Sequence, residues 1–128
     1  MRKTMLLMLL AVATGSAAAQ WTEIRRNDQQ TLYVVPATMR KVGDSVKLWA
    51  LTDYGTAVAS ADKAYRSEIA QKEYDCKESR SRTLFRSAHP GNMGGGGAVE
   101  INAGPGSWGP VSPGSGDETL WKIACGTP

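Results

Sequence analysis

Cys76 and Cys125 are the only cysteines in this 128-residue chain, and both lie downstream of a segment laid out like a cleavable export signal. A short basic start, Arg2 and Lys3, precedes an apolar run from about Met5 to Ala13. Small residues then follow as far as Ala17-Ala18-Ala19, before Gln20. This is the order of a secretory signal with an A-x-A cleavage site. A membrane-spanning helix needs about 20 apolar residues, and this run is far shorter. Cleavage is expected after Ala19, leaving residues 20–128 as one exported domain, periplasmic or secreted. No cysteine follows the cleavage site to accept a lipid anchor. In an oxidising compartment two cysteines usually pair. A Cys76–Cys125 bond closes a loop of about 50 residues and stabilises the fold by roughly 4 kcal/mol in the chain-entropy model. That is a large share of a small domain's stability. Two free thiols are the alternative. A metal site would need more than two cysteines and one histidine.

Charge narrows the partners. The whole chain has 15 basic and 12 acidic residues, a formal net charge of +3. Arg2 and Lys3 leave with the signal, so 13 basic residues face 12 acidic ones and the mature excess is +1. Nucleic-acid binders carry a strong basic excess, so no nucleic-acid partner is expected.

Along the mature chain, Trp21 to Ile24 and Thr31 to Val35 read as strands around the polar turn Asn27 to Gln30. Pro36 ends the second, because proline cannot donate to a ladder. Gly43-Asp44 is a turn signal, and Ser45 to Tyr54 is the strongest strand, with Val46 and Leu48 on one face and Trp49 and Leu51 on the other. Apolar residues on both faces predict cover on both sides. Asp62 to Lys77 has neither proline nor glycine, yet Tyr65, Ile69 and Tyr74 make no helical stripe, and it is read as a long strand. Arg80 to Ser87 follows as its hairpin partner. From His89 to Gly116 the chain turns to glycine and proline, with one expected strand at Ala98 to Ile101. Ser115 and Glu118 have capping-box spacing. Leu120, Trp121, Ile123, Ala124 and Cys125 then form an apolar arc, and Gly126 is a stop. The expected fold is therefore α+β: a small antiparallel sheet of about six strands with a C-terminal helix packed on one face and tied to it by the disulfide.

Catalytic motifs are sparse. His89, the only histidine, lies in the turn His89-Pro90-Gly91, so any Ser-His or Cys-His pair depends on it alone. Ser115 lacks the G-x-S-x-G elbow. The glycine run Gly94 to Gly97 lacks the lysine and Ser/Thr of a phosphate loop. No carboxylate pair suited to sugar hydrolysis stands out. The reading is a non-enzymatic protein with no cofactor. Arg80, Arg82 and Arg86 share parity on one predicted strand and would line one face, a candidate ligand surface for an acidic partner. The plainer reading is a solvated face balanced by Glu68, Glu73 and Glu78. Trp108, in Pro105-Gly106-Ser107-Trp108-Gly109-Pro110, is the tryptophan expected to be semi-exposed.

The order of features has a counterpart. A tryptophan follows the signal, then Val46-Lys47-Leu48-Trp49, then Glu73-Tyr74-Asp75-Cys76 and an arginine-rich strand. A glycine-rich loop leads to Val111-Ser112-Pro113-Gly114-Ser115 and Leu120-Trp121-Lys122-Ile123-Ala124-Cys125. This resembles the surface-adhesin protein E-like domain of Gram-negative bacteria over nearly the whole mature chain. The resemblance implies an antiparallel sheet with a disulfide-tied C-terminal helix, binding to host extracellular-matrix and plasma proteins, a capacity to dimerise, and the cell surface as a further destination. Its alternative is a periplasmic envelope or assembly protein acting through self-association, motivated by the two apolar faces of Ser45 to Tyr54.

Overall fold

The computed structural model describes residues 20–126; the export signal and its cleavage site lie outside the described residues. Eight strands form one antiparallel sheet, with β1 Thr22–Arg26, β2 Gln30–Val34, β3 Arg40–Val42, β4 Ser45–Ser60, β5 Lys63–Asp75, β6 Arg80–His89, β7 Glu100–Ala103 and β8 Gly109–Pro110, followed by helix α1 Gly116–Cys125. The main path runs β1-β2-β4-β5-β6-β7, while β3 pairs with β4 and β8 with β6.

The long hairpin β4–β5 is the spine. The segment read as a strand from Asp62 to Lys77 is one over Lys63–Asp75, as its lack of a helical stripe predicts, because β4 and β6 take its backbone groups on both sides. β4 runs six residues beyond the predicted end. Between Asp53 and Val58 its register with β5 slips, and the Gly55 amide turns aside to the Gln29 carbonyl at 2.9 Å. β7 sits two residues later than predicted, although the Val99 amide already bonds to the Ala88 carbonyl.

The two faces of β4 meet different cover. Val46, Leu48 and Ala50 point to the helix side, where Leu32, Val34, Tyr74 and Leu120 complete the core. Leu48 and Tyr74 have no exposed surface and Leu120 is 3 % exposed. Each such side chain contributes roughly 1.5–3 kcal/mol on burial. On the opposite face the glycine-rich turn after β6 covers Leu51. Gly94 adopts φ +78 and packs so close to Ile69 that an added Cβ would lie 2.9 Å from its Cδ1. Asn92 donates to the Asp53 carboxylate and the Tyr54 carbonyl, and the Ser67 hydroxyl donates to the Gly91 carbonyl while accepting from the Gly94 amide. The stretch from His89 that the sequence marks only by its glycine and proline thus opens with a fixed turn.

Helix α1 has ten residues, too few to stand alone in water. The Cys76–Cys125 disulfide fastens its C-terminal end to the residue after β5. Trp121 donates its indole N–H to the Asp75 carbonyl at 3.0 Å. At the other end Tyr74 and Ser81 donate hydroxyls to the Asp117 carboxylate, at 2.8 and 3.0 Å. Ser115 caps the helix by accepting from the Glu118 amide. The return bond differs from a capping box: the Glu118 carboxylate accepts from the Gly114 amide, because the Ser115 amide already bonds to the Ser112 carbonyl. Gly126 closes the helix at φ +69. The apolar arc is narrower than predicted. Leu120, Trp121, Ala124 and Cys125 pack on the sheet core, while Ile123 lies at the arc's margin and is 36 % exposed.

Candidate functional site

The three arginines singled out in the sequence do not line one face. Arg80 and Arg82 pair with Asp75 and Glu73, but one step further Phe85 pairs with Gln71 and Thr83 with Lys72. Leu84 is therefore an extra residue, a β-bulge, and it reverses the parity of everything beyond it. Arg86 falls opposite Ala70 and belongs to the helix side; Arg80 and Arg82 belong to the other. Periodicity read along one strand cannot reveal an inserted residue, so the predicted strip fails there.

All three guanidinium groups are paired with carboxylates. Arg80 donates to Asp75 at 2.9 Å and Arg82 to Glu73 at 2.8 Å. Arg86 donates to Glu68 at 2.9 Å and Glu100 at 3.0 Å, and its guanidinium lies 5.4 Å from the Tyr65 ring. The balancing carboxylates thus include Glu68 and Glu73, as the plainer reading expected, but Asp75 rather than Glu78. Burial pushes the Glu68 carboxyl up, yet hydrogen bonds from Arg86 and Tyr54 outweigh it and leave it below the usual range. The same neighbourhood raises the Tyr54 phenol, mainly through burial and then through the Glu68 charge. Arg86 is a tie between β5, β6 and β7.

On this helix side a cleft of about 270 Å³ opens beyond the end of α1. Its floor is the cross-strand pair Ala50 and Ala70, and its walls carry Lys72, Asp117, Glu68 and Arg86. Lys72 donates to the Thr83 hydroxyl and sits 3.5 Å from Asp117, so the charges here compensate one another. Burial, followed by the Asp117 charge, pushes the Tyr74 phenol well up, which keeps it a donor to that carboxylate.

The opposite face is differently built. Below the glycine turn no helix among the described residues lies over it. The bulge turns its carbonyls to the following loop: the Gly104 amide bonds to the Leu84 carbonyl and the Gly106 amide to the Thr83 carbonyl, each at 2.9 Å. This anchors the segment that delivers Trp108, whose ring lies 4.8 Å from the Arg80 guanidinium and 4.5 Å from that of Arg82. Each such contact is worth roughly 0.5–1 kcal/mol when partly exposed. Beside it, Trp49 and Phe85 meet with ring centroids 5.9 Å apart at 60°. All three rings are partly exposed. Trp108, expected to be semi-exposed, is so, but its pairing with Arg80 and Arg82 was not legible without the β6–β8 contact.

His89 is engaged at both ring nitrogens. Nδ1 lies 2.9 Å from the Gly96 carbonyl, and Nε2 lies 2.9 Å from the Ser87 hydroxyl. A carbonyl only accepts, so in the neutral ring Nδ1 carries the proton and Nε2 accepts from Ser87. Ser87 is 7 % exposed, which leaves little of it for an incoming substrate. The pair ties the glycine turn to β6. Among the described residues, no group of three or more His, Cys, Asp or Glu is placed to hold a metal ion, and no helix is long and apolar enough to cross a membrane.

Two solved structures share this architecture. The structure of Haemophilus influenzae protein E superposes with a TM-score of 0.61 at 11 % identity, covering 85 % of this chain and 86 % of that one. Its selenomethionine form gives 0.62 at 11 % identity, covering 86 % and 88 %. At that identity the likeness concerns the fold alone. A comparison with curated proteins returned no match. The sequence itself matches the family model of surface-adhesin protein E over residues 21–126, which is nearly all of the described chain. The chain belongs to the surface-adhesin protein E family.

Proposed function

We propose that this chain is an exported, non-enzymatic binding module that engages a protein ligand through the helix-free face of its sheet. The observation that carries the reading is Trp108 held between Arg80 and Arg82, beside the Trp49–Phe85 pair. Tryptophan, tyrosine and arginine dominate the binding energy of protein interfaces. Here rings and guanidinium groups are held in place before any partner arrives, which lowers the ordering cost of association. Family membership supports binding to host matrix or plasma proteins and a location outside the cytoplasm, at the surface or in the periplasm. The structural engagement of both His89 nitrogens supports binding over catalysis.

The test is solid-phase binding of the mature protein to immobilised extracellular-matrix and plasma proteins. Trp108→Ala is expected to weaken binding at least tenfold while leaving the thermal midpoint within a few degrees of the parent. Undiminished binding by the folded variant removes this face from the reading.

A further inference from the structure

We infer that the segment of the partner seated on this face is acidic; the inference rests on the binding face just described. The register places four side chains in one row across four strands. Arg40 on β3 pairs with Lys47 on β4, Lys47 with Glu73 on β5, and Glu73 with Arg82 on β6. With strands about 4.8 Å apart, the row spans roughly 15 Å and ends at Trp108. The row beside it runs Trp49, Gln71, Phe85.

The charges on this face are unequally presented. The carboxylates are sunk: Glu73 and Asp75 have side chains 9 % and 10 % exposed, against 28 % for Arg82 and 43 % for Arg80. Those two carboxylates are matched by the two arginines. Arg40 and Lys47 have no carboxylate partner among the described residues; Arg40 donates to the Ala37 and Met39 carbonyls instead. Arg40 and Lys47 also stand directly opposite each other, and like charges in that position weaken a sheet. Glu73, on the other flank of Lys47, is already bonded to Arg82, which leaves Arg40 and Lys47 in excess on this face. Anionic groups laid along the row would relieve the repulsion, and the uncompensated pair together with the exposed arginine edges would attract them. The adjacent rings offer apolar contact that a polypeptide uses and a uniformly sulfated glycan does not. The partner's segment is therefore a stretch of chain rich in Asp or Glu with interspersed apolar or aromatic side chains.

The experiment uses a fluorescein-labelled random copolymer of glutamate and tyrosine as probe, with heparin and polylysine as competitors, read by fluorescence anisotropy on the mature protein. The expected result is binding of the copolymer that falls at least tenfold between 50 and roughly 300 mM salt, as screening shortens the reach of charge. Heparin is expected to compete more weakly than unlabelled copolymer. Arg40→Glu together with Lys47→Glu is expected to weaken copolymer binding at least tenfold in a protein that remains folded by circular dichroism. Three results overturn the inference: no copolymer binding at low salt, binding unchanged in the doubly reversed variant, or heparin binding more tightly than the copolymer, which makes the partner a sulfated glycan. Matrix-protein binding that is lost in Trp108→Ala but retained in the double variant leaves the binding face standing and removes the acidic partner. Copolymer binding without any matrix-protein binding does the reverse.

Discussion

The two faces of this sheet solve opposite problems. The helix side encloses its charges: Asp117 receives hydroxyls from Tyr74 and Ser81, Lys72 lies beside it, and Arg86 is shared between Glu68 and Glu100. Its apolar residues, Leu48, Tyr74 and Leu120, are fully packed. The opposite side leaves Trp49, Phe85 and Trp108 partly exposed and keeps Arg40 and Lys47 uncompensated in one row. A small domain has little apolar area to spare, so leaving three large rings short of full burial is a real cost to stability. The contrast teaches that the helix gathers most of the buried apolar core to one side of the sheet, while beyond Leu51 and the glycine turn the other side keeps its rings at the surface.

That contrast can be broken most forcefully at the disulfide. Replacing both Cys76 and Cys125 by alanine is expected to cost about 4 kcal/mol, from a closed loop whose ends are 49 residues apart. The loss is read as a lower urea midpoint. Near-ultraviolet circular dichroism should report the release of Trp121, while binding by the Trp108 face persists in whatever fraction remains folded.

Acid sharpens the comparison next. Four carboxyl groups sit below the usual range, among them the exposed Glu23, lowered chiefly by its hydrogen bond with Arg26. Asp75 is lowered chiefly by its hydrogen bond with Arg80, and Glu100 by bonds with Ser60 and Arg86. Glu68 is lowered despite its burial. A carboxyl with a depressed folded-state pKa lends stability that is complete above its unfolded value, about 4, and is lost as the pH falls through the folded value. Unfolding midpoints should therefore be flat from pH 7 to about 5 and drop towards pH 3. Two of the four groups, Glu68 and Glu100, hold Arg86 on the helix side, so Arg86→Met should flatten a large part of that drop. A slope unchanged in Arg86→Met would place the acid sensitivity on the open face.

The smallest expected effect has the opposite sign. Arg40→Glu gives Lys47 an attractive cross-strand neighbour without setting a second carboxylate opposite Glu73, and should stabilise the fold by a few tenths of a kcal/mol, since cross-strand charge pairs are worth roughly 0.2–1 kcal/mol. A loss of stability would mean that Lys47 is already satisfied and that the open face is not strained by its charges.

Much of this architecture was legible in the residues. β-branched and aromatic runs located β2 and β4, and the missing helical stripe made Lys63–Asp75 a strand. Ser115, Gly126 and the apolar arc bracketed α1, and two cysteines in an exported chain implied the bond that the structure contains. What remained hidden was long-range. β3 and β8 are short strands with little pattern of their own, formed because β4 and β6 offer unpaired backbone. The glycine turn looked open because the groups that fix it, Asp53 and Ser67, come from β4 and β5. Of the arginines expected to share a face, Arg80 and Arg82 do so and Arg86 turns to the other, and the juxtaposition of Arg40 and Lys47 was hidden because only the β3–β4 register brings them together.

Leu84 has a consequence larger than its size. Because the alternation of side chains is strict on either side of it, this one inserted residue decides which flank of the domain each arginine serves. Deleting Leu84 would leave both flanks in register, since Phe85 already faces Gln71 and Thr83 faces Lys72. Drawing Leu84 into the ladder instead, with the β7 end of the strand held in place, would swing Arg82 in opposite Tyr74 and turn Ser81 away from the helix it now helps to hold. The two-sidedness of the molecule is thus written in a spacing, and homologues that lack the extra residue should distribute their cations by a different rule.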